Sequence, residues 1–85
     1  MKRYKCRCCG YYTLEEPPGS YDICPICFWE DDPYQNEDPL FDGGANKVNL
    51  EEAQMNYQVF GASDREVLEY CRRPTDEDMI EEDDE

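Results

Sequence analysis

Polar residues dominate this chain, and its apolar positions gather into short groups whose spacing predicts the elements. Tyr4-Lys5-Cys6, Tyr11-Tyr12-Thr13-Leu14 and Tyr21-Asp22-Ile23-Cys24 are rich in aromatic and β-branched residues and predict short strands. Between the last two lies Glu15-Glu16-Pro17-Pro18-Gly19-Ser20, a turn segment, so Tyr11–Leu14 and Tyr21–Cys24 are expected to pair as an antiparallel hairpin. From Glu30 to Asn49 the pattern dissolves into Glu30-Asp31-Asp32-Pro33, Asn36-Glu37-Asp38-Pro39 and Asp42-Gly43-Gly44, which predicts a long loop.

Helical spacing begins at Asn49. Leu50, Ala53, Tyr57 and Phe60 make one apolar stripe, Asn49 with Glu52 forms a capping box, and Gly61 stands where a helix end favours a left-handed residue. The stripe should cover the strands. Ser63-Asp64-Arg65-Glu66 resembles a second box opening a short helix that carries Val67, Leu68 and Cys71 on one face and ends at Pro74. Residues 1–73 are thus expected to be one domain. Residues 74–85 hold eight acidic residues in twelve positions and predict a disordered acidic tail, solubilising or docking on a basic partner.

Length changes this picture, because 85 residues bury too little apolar surface to be stable on a core alone. A staple is expected, and the cysteines supply it. Cys6 and Cys9 form one C-x-x-C pair and Cys24 and Cys27 a second after 14 intervening residues. Two such turns facing each other close a four-sulfur tetrahedral shell suited to Zn2+, one per chain. Gly10 directly after the first pair allows the positive φ that such a turn often needs. Cys8 is one residue too early to partner Cys6, and is expected to be a spare thiol with a reactive role as the alternative. Cys71 is expected to be a small core residue on a helix face, and Trp29 to belong to the core. Asp31, Asp32, Asp38 and Asp42 do not follow an EF-hand spacing, so their expected work is turn formation and helix capping rather than calcium binding.

Charge excludes more than it identifies. With 22 acidic against 8 basic residues the net charge is -14, which repels phosphate backbones and favours a cationic protein partner. Lys2, Arg3, Lys5 and Arg7, with Tyr4, Tyr11 and Tyr12 as stacking faces, are the only candidate nucleic-acid surface, and they must overcome that field. There is no apolar run of membrane-spanning length and no leader-like segment, so a soluble cytoplasmic protein with metal-bound rather than disulfide-bonded cysteines is expected. The chain has no histidine, only Ser20 and Ser63 as serines, and no nucleophile beside an evident base, so it is not expected to be an enzyme.

The blocks Cys6-Arg7-Cys8-Cys9-Gly10-Tyr11, Leu14 to Tyr21, and Ile23-Cys24-Pro25-Ile26-Cys27-Phe28-Trp29-Glu30-Asp31-Asp32 resemble the small bacterial cysteine-rich CPCC domain. Gly43 to Asn46, Leu50 to Ala53, Asn56-Tyr57 and Phe60-Gly61-Ala62 extend the likeness to about residue 63. Arg7 departs from it, standing where the family name implies proline. The resemblance implies a fold and a bacterial, intracellular setting, and no catalytic residue.

The expected fold is therefore small α+β: a zinc ribbon of β-hairpins with two C-x-x-C knuckles, then one or two short helices and the tail. The expected function is a structural, non-enzymatic protein-interaction module, in one version an immunity- or antitoxin-like neutraliser of a cationic partner. The alternative is rubredoxin-like electron transfer with iron in the same thiolates, since Cys-x-x-Cys-Gly-Tyr and Cys-Pro-x-Cys are similar to that family too. Phe28, where that family has glycine, is expected to obstruct approach to the sulfurs.

Overall fold

The computed structural model describes residues 3–79. β1 (Tyr4–Lys5) runs into the first cysteine turn, and β2 (Tyr12–Leu14) returns antiparallel to it, with Tyr4 opposite Leu14, Lys5 opposite Tyr12 and a bulge between. Tyr21–Cys24 does not pair with β2 as the sequence suggested. It folds back on Trp29–Asp31 instead, with the Tyr21 amide donating to the Asp31 carbonyl (3.0 Å), the Asp31 amide to Asp22 (2.9 Å) and the Cys24 amide to Trp29 (3.1 Å). Each cysteine pair therefore closes its own hairpin. The reason is loop closure: a cysteine turn joins its flanks more tightly than the six-residue Glu15–Ser20 connection with its two prolines.

The stretch expected to be a plain loop contains a short helix, α1 (Pro33–Glu37). Asp32 caps it by accepting from the Tyr34 amide at 2.8 Å, and Pro33 occupies its first turn, where no amide is needed. Its inward side chains are polar. Gln35 is fully buried and Asn36 nearly so, and the Trp29 indole donates to Asn36 Oδ1 (3.2 Å) while Asn36 Nδ2 donates to Asp31 Oδ1 (2.6 Å). Trp29 is core, as expected, with its polar edge satisfied.

α2 (Leu50–Phe60) has the expected bounds, with Asn49 Oδ1 accepting from the Glu52 amide at 2.8 Å and Gly61 left-handed beyond its end. Leu50 and Ala53 are buried in the core with Leu14, Ile26, Trp29 and the cysteines, and Tyr57 meets Tyr11 edge-on at 6.4 Å. The next element is a 3₁₀ helix, Arg65–Tyr70, capped by Asp64. Ser63 is buried, its amide donating to the Cys27 carbonyl (2.9 Å), which ties this part of the chain to the second cysteine turn.

The expected boundary at residue 73 and the disordered tail from residue 74 need correction for the described part. Asp76–Met79 forms a 3₁₀ turn that packs on β2. Asp78 is buried, and its carboxylate accepts from Arg72 Nη1 (2.9 Å) and Nη2 (3.1 Å) and from the Thr75 amide (2.7 Å), with Arg3 at 3.6 Å. Acidic residues repel one another along the run, but this one meets two guanidinium groups, which reverses the balance. The remaining residues, 80–85, lie outside the described ones.

Arg72, by hydrogen bonding first, holds the Asp78 carboxyl down at about 2 against an ordinary 3.8. A depressed folded value means that this contact stabilises fully above about pH 4 and is lost as the pH falls through 2. Asp78→Asn is expected to cost about 2 kcal/mol at pH 7, where the charge is intact. Chemical denaturation at that pH checks it, and an unchanged midpoint would show that the Arg72–Asp78 contact adds nothing to stability.

Candidate metal centre

The two cysteine turns are built alike. In the first, the Gly10 amide donates to the Cys6 carbonyl (2.9 Å) and the Cys6 amide to Tyr11 (2.8 Å); in the second, Phe28 donates to Cys24 (2.8 Å) and Cys24 to Trp29 (3.1 Å). Both turns end left-handed, Gly10 at φ +83° and Phe28 at φ +66°. Glycine accepts this freely, whereas an L-residue gives up about 1–2 kcal/mol. The Phe28 ring lies against Tyr70 with centroids 5.5 Å apart, and the turn's carbonyl hydrogen bond forms as in the first turn.

The turns face each other and bring together all four sulfurs expected at the site. Cys6 Sγ is 3.5 Å from Cys27 Sγ, Cys9 Sγ is 3.7 Å from Cys24 Sγ, and all four lie within 4.8 Å of one another. A tetrahedral ion with bonds of about 2.3 Å needs sulfurs about 3.8 Å apart, so the donor set fits a soft or borderline cation without rearrangement. Cys6, Cys24 and Cys27 are fully buried and Cys9 is partly so.

Four thiols so close cannot hold their protons independently. Hydrogen bonds from Cys27, then Cys6 and Cys9, pull the Cys24 thiol far down, and those same bonds to Cys24 push Cys6, Cys9 and Cys27 up. Cys24 Sγ also lies 3.0 Å from Thr13 Oγ1 and accepts the Ile26 amide at 3.4 Å. A cation held by Cys6, Cys9, Cys24 and Cys27 would favour their thiolate forms, and the Thr13 hydroxyl and Ile26 amide would then donate to a metal-bound sulfur. Thr13 carries no sequence signal for that position, because only the crossing of β2 beside the second turn puts it there.

The other candidates are placed elsewhere. Cys8 Sγ donates to the Ala53 carbonyl of α2 (3.4 Å), a packed thiol of the core. Cys71 Sγ donates to the Val67 carbonyl (3.3 Å), and burial pushes its thiol up, away from reactive character. Asp31 accepts from the Gly19 amide (2.7 Å), Asp32 from Ala45 (2.8 Å), Asp38 from Leu40 (3.3 Å) and Asp42 from Asn49 Nδ2 (3.2 Å). They shape turns and a helix cap. Among the described residues the four cysteines are the only metal-ligating cluster, and no helix is long and apolar enough to cross a membrane.

A small α+β fold organised on four clustered cysteines defines a metal-binding structural module. The chain belongs to the cysteine-rich CPCC family, whose model matches residues 4–78, a span that takes in Asp78 as well as both cysteine turns. No curated protein matches the sequence.

Proposed function

We propose that Cys6, Cys9, Cys24 and Cys27 hold one structural Zn2+ and that the folded module is a non-enzymatic, cytoplasmic interaction domain for a cationic protein. The observation that carries this reading is the inward-facing set of four sulfurs within 4.8 Å, three of them on fully buried residues. Four thiolates fill a tetrahedral ion's shell and leave no position for water or substrate. What remains for function is surface, and a net charge of -14 suits a basic partner, by steering its approach and excluding phosphate backbones. Six unpaired cysteines fit a reducing compartment.

Iron electron transfer is the second reading, favoured by the Thr13 hydroxyl and Ile26 amide at Cys24 Sγ, contacts of the kind that set the potential of a metal–thiolate site. Elemental analysis with a visible spectrum, on protein made with both metals supplied, separates the two. One zinc per chain and no colour is the expected result; one iron with thiolate-to-iron absorption overturns it. The interaction reading is checked by capture of basic proteins at low salt, which must weaken as salt rises; affinity indifferent to salt would refute it.

A further inference from the structure

We infer that a groove beside the second cysteine turn is the docking surface of this module, and that it takes a segment of a partner protein in which one apolar side chain is flanked by lysine or arginine. The inference rests on the interaction reading above. Ile23, Phe28, Val48 and Val67 give the groove an apolar floor, and Glu30 and Glu66 stand among its walls. Its volume of about 200 Å³ is below the range of small-molecule and cofactor sites, and suits a side chain rather than a free ligand.

Phe28 points to use rather than packing. The equivalent position in the first turn is Gly10, which takes the same left-handed backbone without strain, yet the second turn holds an aromatic ring there at φ +66°. That strain is not repaid by burial: Phe28 is only half-buried, and its ring partner Tyr70 is 60% exposed. Ile23, across the groove, is 44% exposed. A strained aromatic kept at the surface beside an unfilled apolar hollow has the character of an interface anchor.

Charge decides the occupant. Lys47, the groove's cation, is already paired with Glu66, while the Glu30 side chain forms no ion pair among the described residues. The free charge around the floor is negative, as is the molecule's field, so an apolar segment with basic neighbours is complementary and an acidic one is repelled.

The test is an amide chemical-shift titration of the metal-loaded full chain at low salt, with a peptide of four Arg-Leu repeats and one of four Arg-Ser repeats as probes. The Arg-Leu peptide is expected to shift Ile23, Phe28, Lys47 and Val67 and to bind about tenfold more tightly than the Arg-Ser peptide. Phe28→Gly, whose metal content reports that the turn is intact, is expected to lose about tenfold in affinity for Arg-Leu. Glu30→Lys, which keeps the backbone contacts of Glu30 to Asn46, should lose a similar factor. Binding that maps to α2 or to Asp76–Met79, equal affinity for the two peptides, or wild-type affinity in both variants overturns the groove and leaves the interaction reading standing. Concentration-dependent shifts at the groove without peptide also overturn it, because the occupant is then a second copy. Failure of both peptides to bind anywhere overturns the interaction reading itself.

Discussion

Cys24→Ser is expected to lose the metal and the folded state together. A structural tetrathiolate site contributes about 10–16 kcal/mol of apparent binding energy at neutral pH, whereas a whole domain is stable by only about 5–15 kcal/mol. In this chain the centre is also the core, since Cys6, Cys24 and Cys27 are packed with Leu14, Ile26 and Trp29 in one cluster. Without the ion, only weak sulfur hydrogen bonds at 3.5 and 3.7 Å would join the two turns. Cys9→Ser should fail in the same way, and a strong chelator should reproduce both. Cys71→Ser should keep metal and fold. Cys8→Ser should keep them too, losing about 1 kcal/mol, because a serine hydroxyl can still donate to the Ala53 carbonyl that Cys8 now meets. Metal analysis alongside circular dichroism checks the set. Full metal content in Cys24→Ser would mean that the sulfurs are not the ligands, and metal loss in Cys8→Ser would move the site by one residue.

Elements governed by near neighbours were legible in the sequence. The bounds of α2 follow from Asn49, Glu52 and Gly61, each acting within its own turn, and the cysteine pairs follow from a spacing that a single turn satisfies. Elements decided by partners distant in sequence were not. Tyr21–Cys24 has the composition of a strand, but composition does not say whether it pairs with Leu14 or with Trp29, and the tighter cysteine turn decided that. Asp78 looked like one more charge in an acidic run because Arg3 and Arg72, which neutralise it, lie on other segments. α1 escaped notice for a different reason. Its inward side chains, Gln35 and Asn36, are amides, so no apolar stripe marks it, and its stability comes from hydrogen bonds to Phe41, Val48, Asn46 and Asp31.

That polar core predicts the second large effect, Gly44→Ala. A Cβ at Gly44 would lie 2.5 Å from Gln35 Cδ, 2.6 Å from Gln35 Cγ and 2.6 Å from Asp32 Oδ2. Such overlap is cheap when a flexible side chain can move aside, but Gln35 is fully buried and held at both ends. Its Nε2 donates to the carbonyls of Phe41 (3.2 Å) and Val48 (3.1 Å), and its Oε1 accepts from the Asn46 amide (3.1 Å) and Nδ2 (2.9 Å). Asp32 is equally committed, to the Tyr34 and Ala45 amides. Making room must therefore break several buried hydrogen bonds or shift the loop, at an expected cost of about 3 kcal/mol or more. Gly43→Ala is the control. Its backbone is left-handed at φ +92°, yet nothing lies within 4 Å of the added carbon, so only the backbone penalty of about 1 kcal/mol applies. Denaturant unfolding of the two metal-loaded variants should thus separate adjacent glycines, Gly44→Ala falling well below Gly43→Ala. Equal losses would mean that the loop yields as a body and that Gln35 is not the fixed point around which Phe41–Val48 is folded.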